Sequence, residues 1–154
     1  ELNYKTVKDR FDIFRKKIAL FLENEYNHSI KDYNEYEEFY YIKEREKKKK
    51  KKSLSESINI MGFYSNKKVY TLLMPKIGRR AFDIEDGFIQ YLNWNKIHSL
   101  NSHQTNLNIF WKFLEDNLKK YKGFEEDNFF YYLKESEFKF NYTKDEQIEI
   151  LRNL

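Results

Sequence analysis

The sequence predicts an α/β fold bordering on α+β, with a small mixed sheet that contains a hairpin and a C-terminal half made of helices. Three observations point there. Apolar residues recur at helical spacing over residues 6–25, and again at Phe110, Trp111, Leu114 and Leu118. Three runs, 36–43, 58–64 and 68–74, are rich in strand formers, and the last two flank Ser65-Asn66-Lys67, which is turn chemistry. Aromatics make up 19% of the chain against four Gly and one Pro, so the material for a packed core is present.

Taken in order, Val7, Phe11, Phe14, Ile18, Phe21 and Leu22 form the apolar stripe of a first helix, with Thr6 expected as its N-cap. Asn24 to Asn34 reads as a polar connection. The strand at 36–43 leads into a basic flexible loop, residues 43–57, that holds six consecutive lysines. The hairpin follows and Pro75 ends its second strand. Asp83 to Trp94 reads as helical and His98 to Gln104 as loop. Phe110 and Trp111 sit on the buried side of the next helix, with Gly123 as its expected stop. Phe129, Phe130, Tyr132, Leu133 and Phe138 belong to another helix. Thr143 and Glu146 have the spacing of a capping box, so a last helix is expected from about 144 to 152.

A chain of 154 residues suits one domain spanning 1–154. The absence of cysteine excludes a disulfide framework and a thiolate zinc site. No run approaches the roughly 20 apolar residues of a membrane helix, so no membrane partner is expected. The net charge of +4, concentrated in the lysine run, permits a nucleic-acid partner.

The order of several blocks carries more. His103 and Asn108 precede Phe110-Trp111, a basic helix follows, and then comes Tyr132-Leu133-Lys134-Glu135-Ser136-Glu137-Phe138-Lys139-Phe140-Asn141. Upstream stand Glu37-Glu38-Phe39-Tyr40-Tyr41, Ile60-Met61-Gly62, Val69-Tyr70-Thr71 and Asp86-Gly87-Phe88 with Tyr91. Together these resemble the bacterial insertion-sequence transposases related to Merlin elements, which carry a ribonuclease-H-like DDE catalytic domain. The resemblance covers roughly residues 10 to 141. Glu37 stands where the family has its first Asp, Asn108 where the third acid falls, and Glu115 where a Lys is usual. The segment between Pro75 and Asp86 is short by a helix and a strand.

The resemblance implies a metal-dependent DNA transposase domain that cleaves and transfers strands at transposon ends, in active or inactive form. Glu37, Asp86 and Asn108 would be its catalytic and metal-binding positions, and His103 would orient substrate or a ligand. The strand bearing Glu37 would lie centrally in the sheet. The cofactor would be Mg2+ or Mn2+, whose oxygen ligands and retained waters suit in-line displacement at phosphorus. An amide at 108 brings no charge, so metal binding would be weak. The partner would be double-stranded DNA, with a homodimer permitted, in the bacterial cytoplasm or a eukaryotic nucleus. Lys47, Lys48, Lys49, Lys50, Lys51, Lys52, Arg79, Arg80, Lys119 and Lys120 are the candidate phosphate contacts. Two other readings compete: a non-catalytic DNA-binding protein derived from a transposase, and an unrelated α+β interaction domain.

Overall fold

The computed structural model describes residues 3–29, 35–43, 57–74, 105–121 and 124–154. They form α1 (Tyr4–Ser29), β1 (Glu35–Tyr41), β2 (Ile58–Ser65), β3 (Lys68–Leu73), α2 (Asn106–Leu118), a 3-10 turn (Glu126–Asn128), α3 (Phe129–Asn141) and α4 (Lys144–Asn153). Helices and a small sheet are thus combined, as the patterning implies. The three strands run in the order β1-β2-β3, and both pairings are antiparallel. Among the described residues the sheet is therefore antiparallel rather than mixed.

Local chemistry explains most element ends. Asn66 and Lys67, at φ 50° and 63°, make the two-residue turn between β2 and β3. Two positive φ values give the twist that a tight hairpin needs, and Asn adopts them readily. Thr143 and Glu146 form the expected capping box at the start of α4. The first helix differs from its reading. It already includes Tyr4, so Thr6 is internal, and Asn3 accepts the Lys5 amide at 3.3 Å instead. It also continues through Asn24 to Ser29, because Tyr26 meets Tyr70 of β3 edge-on at 6.0 Å and packing outweighs the polar sequence. The helix carrying Trp111 ends at Leu118 with Lys119 as its cap, before Gly123, which lies outside the described residues.

Strand alternation sends every second residue to one face. Glu37, Gly62 and Thr71 share a rung, as do Phe39, Ile60 and Leu73. That face is the floor of the main core, where Ile60 and Val69 meet Leu107, Phe110, Trp111, Leu114, Phe129 and Leu133 from α2 and α3. Phe140 is only partly buried there. Phe138, on the same helix, faces away from the sheet. It packs instead on Ile18 and Leu22 of α1, in a second cluster.

The reading that put Glu37 on a central strand is also corrected. β1 is an edge strand among the described residues, because β2 lies between it and β3. Among the described residues β1 and β3 have only β2 as a strand neighbour, and helices meet both of them.

Candidate functional site

The site built around Glu37 lies where β1 meets the start of α2. Thr105 precedes the helix in an extended conformation, and its hydroxyl accepts the Asn108 amide at 3.1 Å. The same hydroxyl donates to Glu37 Oε1 at 2.9 Å. The Trp111 indole N–H donates to Glu37 Oε2 at 3.0 Å. Glu35, two residues earlier and on the same face, accepts from Asn106 Nδ2 at 2.8 Å and from the Leu107 amide at 3.1 Å. Two carboxylates thus satisfy donors at a helix N-terminus, where amides point outward and negative charge is favoured.

Trp111 completes this corner. Its ring stacks on Phe39 at 4.8 Å with an interplanar angle of 5° and is 6% exposed, so it is a core residue. Gly62 makes room for it. A Cβ there would stand 2.5 Å from Trp111 Cζ2.

The second polar constellation closes the outer edge of β3. Lys134, Glu137 and Asn141 lie three and four residues apart, hence on one face of α3. The Asn141 amide accepts from Val69 N–H and donates to Val69 C=O, both at 2.7 Å, as a neighbouring strand would. Lys134 Nζ donates to Thr71 C=O at 2.6 Å and to Glu137 Oε2 at 3.0 Å. The Thr71 hydroxyl donates to the same Glu137 oxygen at 2.5 Å. Asn141 and Lys134 thereby meet backbone groups of the β3 edge that would otherwise be costly to bury, and Glu137 holds Lys134 and the Thr71 hydroxyl in place.

A third cluster locks α1 to α3. Arg15 Nε donates to Glu135 Oε2 at 2.5 Å and its NH1 to Asp12 at 3.0 Å, with the guanidinium 4.4 Å from the centre of the Tyr132 ring. Burial pushes the Glu135 carboxyl up, but Lys139 and Arg15 more than reverse this and hold it below the usual carboxylate range.

Of the residues singled out from sequence, Glu37 and the backbone amide of Asn108 share the Thr105 hydroxyl. Asn108 is a half-buried residue in the first turn of α2. Lys119 and Lys120 are exposed at the far end of that helix, eleven and twelve residues on, or about 17 Å along the axis. Asp86, His103, Arg79, Arg80 and Lys47 through Lys52 lie outside the described residues. Both Glu37 oxygens accept protein hydrogen bonds, one from Thr105 and one from Trp111. Among the described residues no group of three or more His, Asp or Glu could hold a metal ion.

Sequence reasoning missed Glu35, Thr105 and the α3 clamp. Glu35 and Glu37 alternate as one strand face does, and Thr105 stands three residues before the amide it caps, so both signals were present. No helix among the described residues is long and apolar enough to cross a membrane. Comparison of the chain with known protein families, with curated proteins and with solved structures finds no match.

Proposed function

We propose that this chain is a DNA-binding protein of transposase-like design in which the position of the first metal ligand has passed from catalysis to packing. One observation carries the reading. The Glu37 carboxylate is held by the Trp111 indole and the Thr105 hydroxyl, with one oxygen given to each. A metal would have to share these oxygens with two protein donors that already draw on their charge, and the amide at Asn108 adds no charge to attract it. The ordered blocks from Glu37 to Asn141 support the ancestry, and the antiparallel strands suit the front of a ribonuclease-H-like sheet. The lysine run with exposed Lys119 and Lys120 supplies charge for duplex phosphates.

An active enzyme is the second reading, supported by the place of Asn108 in the first turn of α2, where its backbone amide shares the Thr105 hydroxyl with Glu37. Binding measured without divalent metal separates the two. The chain should bind duplex DNA in EDTA with little sequence preference. If all six lysines from 47 to 52 touch phosphates, replacing them should flatten the slope of log affinity against log salt by about 5. No binding in EDTA, or cleavage of the duplex on adding Mn2+, would contradict the proposal.

A further inference from the structure

The apolar stripe of α1 follows a heptad. Tyr4, Phe11 and Ile18 take its a positions and Val7, Phe14 and Phe21 its d positions, so they line one side of the helix. Only the second half of this seam is covered. Ile18 is 5% exposed and packs with Phe21 on Phe138 of α3. Tyr4, Phe11 and Phe14 are 82%, 55% and 46% exposed. α1 has 26 residues and α3 has 13, so α1 outruns the helix it packs on. Exposed apolar side chains scattered singly need no explanation, but aromatic rings in line along one helix side form a strip that is costly to leave in water.

The groups flanking the strip carry one sign. Lys8 and Arg15 stand at e positions, and Arg10 and Lys17 at g positions. Lys8, Arg10 and Lys17 are exposed, while Arg15 is turned to Glu135 and Asp12. The acids of this stretch, Asp9 and Asp12, fall at f and b, away from the seam. A second copy laid on the strip sets Arg10 against Arg15 in a parallel pair, and Arg10 against Lys17 in an antiparallel one. Cation meets cation either way, which selects against self-pairing. Duplex DNA answers the charge, but it offers the rings phosphates rather than an apolar face. A helix with apolar a and d residues and acids at e and g answers both.

We propose that the first half of α1, from Tyr4 to Phe14, is a docking strip for an acidic amphipathic helix of another protein. The apolar side of that helix lies on Tyr4, Phe11 and Phe14, and its carboxylates reach Lys8 and Arg10. The apolar anchors supply the affinity, and the flanking charges set partner choice, since exposed ion pairs contribute little apiece. The inference rests on α1 alone and does not depend on DNA binding.

Fluorescence anisotropy of a labelled synthetic peptide tests it. The peptide spans about three heptads, with Leu at a and d and Glu at e and g, and a twin carries Lys at e and g. At low salt the full chain should bind the Glu peptide at least about tenfold more tightly than its twin. Phe11→Ser combined with Phe14→Ser should weaken that binding by about tenfold or more. Lys8→Glu combined with Arg10→Glu should reverse the preference, a result that needs no change to the aromatic residues. Neither peptide binding, or both binding equally, would overturn the docking strip. So would self-association in sedimentation that Phe14→Ser abolishes, or duplex affinity that falls with the two Phe changes as far as peptide affinity does. A gain in peptide affinity when Asp83, Glu85 and Asp86 are replaced by amides would assign the strip to the chain's own acidic stretch and overturn it as well.

Discussion

Gly62 and Trp111 show how one residue's absence of a side chain places another's ring. Gly62 shares a rung with Glu37 and Thr71, and the indole lies across that rung with its N–H on Glu37. Adding a methyl group at Gly62 puts a Cβ 2.5 Å from one ring carbon and 2.6 Å from another. The ring is pinned by Phe39 and Glu37, so it yields only by giving up both contacts. Gly62→Ala should therefore destabilise the protein by about 1–3 kcal/mol, read from denaturant midpoints. An unchanged midpoint would mean that the ring is free to move. The burial of Trp111 was legible from helical spacing alone, whereas its dependence on Gly62 was not. Two residues that are 49 positions apart in sequence announce a contact only once the register is known.

At the scale of elements, the question is how a three-stranded sheet closes its edges. β3 is closed by α3, and Asn141 contributes the most strand-like pairing, two hydrogen bonds of 2.7 Å to one residue. Asn141→Ala should cost about 1–3 kcal/mol, because it leaves a partly buried amide and carbonyl unmet. Asn141→Asp keeps the acceptor but sets a carboxylate oxygen against the Val69 carbonyl, so its cost should equal or exceed alanine's. Thermal or denaturant unfolding of both variants measures this. The stretch from Tyr132 to Asn141 stood out in sequence, and its helical nature was readable from its aromatics. Its clamp was not, because Lys134 and Glu137 look like solvated charges to any reading that ranks residues by polarity. The same ordering of priorities explains α1. Its polar C-terminal turns read as a connection, yet the Tyr26–Tyr70 contact keeps them helical. Two pieces of local chemistry, by contrast, were legible, the hairpin turn and the Thr143–Glu146 capping box, which depend on neighbours in sequence alone, whereas the Thr6 cap was not, because the helix starts earlier.

For the whole molecule, β1 and β3 are both tied to helices by side-chain hydrogen bonds, β1 to α2 through Glu35 and Glu37 and β3 to α3 through Thr71 and Val69. The carboxylates of β1 are the parts of this frame that bear on the proposed function, since Glu37 serves as a joint between β1 and α2. The resemblance directed attention to Glu37, but residue type and order could not reveal that its oxygens accept hydrogen bonds from Thr105 and Trp111. The most direct test follows the thermal midpoint of the unmodified protein and of Glu37→Gln while Mn2+ is titrated in. The account predicts that Glu37→Gln lowers the midpoint by the same amount with and without Mn2+, because it removes one of two acceptors. It also predicts that Mn2+ does not raise the midpoint of the unmodified protein. A rise with Mn2+ that Glu37→Gln abolishes would contradict it, since only a ligand bound to the native state stabilises by mass action.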